Sequence, residues 1–120
     1  MASADIGLVT FGVTAFELAT IGVPAVYLCL NEDHVASASA FVNAGMGVSL
    51  GAASGVDEPM ISEAVQQLIE DPDLCRSMSA AGRMNLDGRG AQRIASRLAQ
   101  LISERQSAFE ATSSGRTVAA

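Results

Sequence analysis

The sequence contains no tryptophan, and aromatic residues make up only 4% of it, against 49% hydrophobic residues. A core drawn from this alphabet must be Val, Leu, Ile, Ala and Met, which suits helices packed on a parallel sheet. No apolar run approaches the ~18 residues that a membrane-spanning helix needs. The first residues carry no positive charge and no signal-peptide pattern. The expectation is a cytoplasmic, soluble protein with no membrane span. Only two cysteines occur, Cys29 and Cys75, without metal-like spacing. They read as reduced packing residues, Cys29 in a buried strand and Cys75 on a helix face. No metal site and no cofactor are expected.

Lysine is absent too, and every basic residue is Arg. Residues 1–75 hold ten acids and no base, whereas residues 76–120 hold seven Arg and three acids. The net charge of −6 argues against a nucleic-acid partner. The Arg-bearing end reads either as a solvated face or as one that docks on another acidic surface.

What is present is an alternation of strand and helix signals in 120 residues, enough for one core. Ile6–Thr10 is a short apolar run that ends at Gly12. Thr14–Ile21 has a helical pattern, stopped by Gly22 and Pro24. Ala25–Leu30 is continuously apolar and reads as a strand buried on both faces. Asn31–Asp33 is a polar loop, and a helix over His34–Asn43 ends at Gly45. Gly47–Leu50 supplies a third strand. Such a βαβαβ unit implies a parallel sheet with right-handed crossovers. Asp57 caps a further helix with Pro59 in its first turn, and Asp71-Pro72 starts the next, running to about Met84. The last helix is expected from Ala91 to about Gln106, with Ile94, Leu98, Leu101 and Ile102 facing inward. Residues 107–120 read as a flexible tail.

Three strands are fewer than the five or six usual in doubly wound sheets. The domain over 1–106 therefore reads as N-terminally incomplete. A homo-oligomer or a partner chain is expected to cover the open sheet edge.

The candidate site lies at the carboxyl ends of the first two strands. Gly12 either lets a phosphate approach the backbone or simply turns a strand–helix corner. Thr14 reads as a cap for the following helix, with a hydroxyl also able to reach a phosphate oxygen. Glu17, placed in the first turn, is either favoured by the helix dipole or accepts a ribose diol. Asp33 reads as an N-cap or a ligand contact. His34, the sole histidine, either starts its helix or hydrogen-bonds a diphosphate or sugar. No catalytic residue is assigned.

The run from Ala4 to Ala25, ADIGLVTFGVTAFELATIGVPA, resembles the C-terminal domain of GT-B-type nucleotide-sugar enzymes. The resemblance is strongest to the UDP-sugar hydrolase branch and its spore-coat polysaccharide relatives. It is more distant to the peptidoglycan N-acetylglucosaminyltransferase. The run from Met78 to Ile94, MSAAGRMNLDGRGAQRI, is similar to a second signature of the hydrolase branch. The resemblance implies a partial Rossmann-like α/β domain: a three-stranded parallel sheet with C-terminal helices. It implies a UDP-sugar or other nucleotide-sugar ligand, with Gly12, Val13 and Thr14 at the diphosphate and Glu17 at the ribose. Asp33 and His34 would face the diphosphate and sugar.

Three departures stand out. Phe11 replaces the first glycine of the family turn and is expected to crowd a phosphate. Val13 replaces a Ser or Thr, and Asp33-His34 replaces an amide pair. Met1 aligns with an internal family position, so the chain reads as the tail of a longer enzyme. Two alternatives remain beside a nucleotide-sugar-binding portion of a hydrolase or transferase. One is the donor-binding subunit of a split glycosyltransferase, and the other is a non-catalytic interaction module.

Overall fold

The computed structural model describes residues 3–119, with side chains described as far as Ser113. The elements follow in the order β1 (Gly7–Thr10), α1 (Val13–Ile21), β2 (Ala25–Cys29), α2 (Glu32–Asn43) and β3 (Gly47–Ala52). A 3-10 turn (Ala53–Gly55) leads to α3 (Glu58–Glu70), α4 (Pro72–Asn85) and α5 (Gly90–Ala119). The fold is α/β, with one parallel sheet of order β1-β2-β3, as in a partial Rossmann-like domain. Two compact units divide the chain, Met1–Asp87 and Gly88–Ala120.

In the first unit β2 is the central strand. Gly7–Thr10 pair with Ala25–Leu28 on one side, and Ala25–Tyr27 pair with Gly47–Ser49 on the other. The pleat sends successive side chains to opposite faces. Ala25, Tyr27 and Cys29 therefore join Phe11, Leu18 and Phe41 in the cluster formed with α1 and α2. Val26 joins Leu68 and Met78 in the cluster formed with α3 and α4. Burying each such large side chain stabilises the fold by about 1.5–3 kcal/mol. The two cysteines are free and sit on opposite faces, Cys29 in the first cluster and Cys75 against the second.

The helix ends follow from local chemistry. Gly22, at φ 77°, ends α1 in the left-handed region, and the Arg83 guanidinium donates to the exposed Ile21 carbonyl at 3.1 Å. Asp57 and Asp71 cap α3 and α4, accepting from Met60 N–H at 3.0 Å and Leu74 N–H at 2.9 Å. α4 lies so close to α1 that a Cβ on Gly82 would overlap the Ala19 carbonyl oxygen.

The second unit holds α5. It extends past Gln106 to Ala119, beyond the boundary expected from sequence. Ile94, Leu98, Leu101 and Ile102 do not face inward as expected; they are between 43% and 64% exposed. Their spacing makes one apolar stripe, but a unit with a single helix has no second layer to cover it. The expectations for Met1 and for the side chains of 114–120 lie outside the described residues.

Candidate functional site

Because the sheet is parallel, α1 and α2 both begin at its carboxyl edge. The partial positive charge of a helix N-terminus favours anions there. Phe11 continues the ladder, its N–H donating to the Leu28 carbonyl at 2.7 Å, and Gly12 then caps α1. Gly12 has φ 171°, an extended backbone that any residue adopts. A Cβ built there would meet nothing within 4 Å. Neither the backbone nor a packed neighbour requires glycine at this position, and the space above the turn is open.

The expected crowding by Phe11 does not occur at the turn. Its ring is 4% exposed and lies edge-on to Tyr27 and Phe41, with centroids 5.3 and 5.0 Å away. The period of two along β1 explains this: Phe11 follows Gly7 and Val9 onto the face packed by α1 and α2.

Three further expectations change. Thr14 does not cap α1: the cap position is Gly12, no side chain bonds the first-turn amides, and Thr14 is the second helical residue. Glu17 is the fifth helical residue and lies past the first turn, so the dipole account of its placement loses force. Asp33 is not the cap of α2. Asn31 is, its Oδ1 accepting from the His34 N–H at 2.9 Å, with Glu32 and Asp33 following in the first turn. The signal for this was in the sequence, since Asn before two acids is a favourable helix start. The role of Ser49 was not legible: its Oγ accepts from Gly51 N–H at 3.1 Å, which holds the end of β3.

The structure brings the two strand ends together through Phe11, whose ring centroid is 6.5 Å from that of His34. His34 Nδ1 is buried and, among the described residues, has no hydrogen-bond partner. Val13 is 76% exposed, and Glu17 and Asp33 are exposed. No Lys or Arg precedes Arg76, so an anion at this edge finds no basic side chain on β1, α1, β2 or α2 themselves. Glu32 and Asp33 oppose it. Among the described residues no group of three or more His, Cys, Asp or Glu is placed to hold a metal ion.

Two wide clefts lie away from this edge. One, of about 600 Å³, is lined by Val48, Leu50, Met60 and Glu63 between β3 and α3. The other, of about 520 Å³, is lined by Asp5, Ile6, Pro24, Cys75 and Arg76. Burial and the nearby Asp71 carboxylate both push the Cys75 thiol up from its ordinary pKa, which keeps it a poor nucleophile.

Two curated proteins are similar to this chain. The spore coat polysaccharide biosynthesis protein SpsG of Bacillus subtilis (strain 168) is 28% identical over 104 residues. The match covers 87% of this chain and 31% of that protein. A Cutibacterium acnes (strain DSM 16379 / KPA171202) protein is 34% identical over 101 residues. It is a UDP-N-acetylglucosamine--N-acetylmuramyl-(pentapeptide) pyrophosphoryl-undecaprenol N-acetylglucosamine transferase. That match covers 81% of this chain and 27% of the transferase. At this low identity the two support a glycosyltransferase-like relationship. The chain spans less than a third of the length of either relative. No family model and no solved structure matches it.

Proposed function

We propose that this chain is the nucleotide-sugar-holding portion of a glycosyltransferase-like enzyme, with a UDP-sugar as its ligand class. The observation that carries the reading is the open space above Gly12 at a helix start on the carboxyl edge of a parallel sheet. Ligands of open α/β sheets bind at that edge, and a glycine that the fold itself does not need leaves room for a phosphate. In this reading the backbone at Gly12, Val13 and Thr14 receives the diphosphate, and Glu17 accepts the ribose diol. Asp33 and His34 face the diphosphate and sugar. The parent reaction is transfer from the UDP-sugar or its hydrolysis, and the remaining two thirds of the relatives' length would supply the rest of the site.

Calorimetry with UDP and a UDP-sugar tests this. Binding to the folded chain is expected, and Gly12→Ala abolishes it while changing stability by no more than about 1 kcal/mol. Unchanged binding in Gly12→Ala, or no heat at millimolar UDP from a folded chain, counts decisively against the reading.

A further inference from the structure

His34 stands at the third position of α2, with its ring beside that of Phe11 at the end of β1. Only Leu30 and Asn31 join β2 to α2, so His34 lies within one turn of the carboxyl edge. Its backbone N–H is already taken by the Asn31 cap at 2.9 Å. What His34 offers a ligand at that edge therefore comes from the imidazole. The ring is half-buried, and Nδ1 is the nitrogen that is enclosed, with no hydrogen-bond partner among the described residues.

A neutral imidazole carries its proton on one nitrogen and accepts through the other. An orphaned buried N–H is rarer in proteins than an under-satisfied acceptor. The surroundings act in the same direction. The positive end of α2 attracts a lone pair and repels an N–H. Glu32 and Asp33, the charged groups of the same turn, are exposed, and their negative charge draws the proton away from the enclosed nitrogen.

We infer that His34 is held as the Nε2–H tautomer and donates through Nε2–H to an acceptor oxygen of the bound ligand. The ligand rests on the nucleotide-sugar reading above, whereas the tautomer stands without it. The acceptor belongs either to the diphosphate or to the sugar. The tautomer also limits what His34 does. Nε2 has no free lone pair with which to take a proton, and giving up its own proton would leave an imidazolate. His34 thus binds and does not relay protons.

Two measurements test this. The chain holds a single histidine, so the untagged full chain gives one imidazole in heteronuclear NMR. At about pH 8, above the ordinary imidazole pKa of about 6.5, the ligand-free ring is expected to show the Nε2–H pattern. An Nδ1–H pattern, or the averaged pattern of a freely exchanging ring, overturns the inference. This reading involves no substitution, so it stands whatever the stability of the variants.

Calorimetry with UDP and with UDP-N-acetylglucosamine measures the bond itself. His34→Asn is expected to weaken binding by about tenfold. His34→Gln stays within about threefold of wild type, because Gln places an amide N–H as many bonds from Cα as Nε2. A loss in His34→Asn with both ligands supports a diphosphate acceptor, and a loss with the UDP-sugar alone supports a sugar acceptor. Undiminished binding in both variants, or an equal loss in both, overturns this inference and leaves the nucleotide-sugar reading standing. No binding by the folded wild-type chain overturns both.

Discussion

Phe11 shows how a residue's meaning changes with the direction of its side chain. In the sequence it stands where a glycine turn is expected, and a bulky ring there reads as an obstacle. In the fold it anchors the α1–α2 cluster against Tyr27, Phe41 and Phe16. Phe11→Ala is expected to destabilise the protein by about 3–5 kcal/mol in chemical denaturation. Restoring the family glycine with Phe11→Gly costs at least as much and does not improve nucleotide binding. Tyr27 makes a second prediction at this scale. Burial pushes its hydroxyl pKa up to about 12, from the ordinary 10.0. The folded state thus holds this proton more tightly than the unfolded chain. Its contribution to stability is complete below about pH 10 and is lost as pH rises towards 12. Denaturant midpoints measured across that window should fall with pH, and Tyr27→Phe should remove this part of the fall.

At the scale of elements, most boundaries were legible because each rests on a local device. Asp57 and Asp71 before their prolines marked α3 and α4, and Gly22 marked the end of α1. The start of α2 was misplaced because the cap lay in a cluster of polar residues, any of which suits that role. What the pattern did not show was the approach of α4 to α1, between residues 60 or so apart in sequence. Gly82 reads as one small residue in an Ala-rich helix, yet its missing Cβ sets the distance between the two helices. Gly82→Ala is expected to lower stability by about 1–3 kcal/mol, despite the higher helix propensity of Ala, as thermal unfolding would show. Gly90→Ala, where a Cβ meets nothing within 4 Å, has no such cost.

The whole molecule separates its charges along the chain. The unit through Asp87 carries most of the acids, and the one after it carries five of the seven Arg. Among the described residues no helix is long and apolar enough to cross a membrane.

The sequence by itself determined the strands, the helices and their alternation, because periodicity and capping act over a few residues. It also determined the charge asymmetry and the position of the glycine turn. Tertiary structure decided where each side chain points. It turned Phe11 into the core, left the α5 stripe uncovered and brought His34 to the Phe11 ring. It also showed that nothing in the fold needs the glycine at Gly12. These outcomes depend on which residues distant in sequence become neighbours, and no local pattern carries that information.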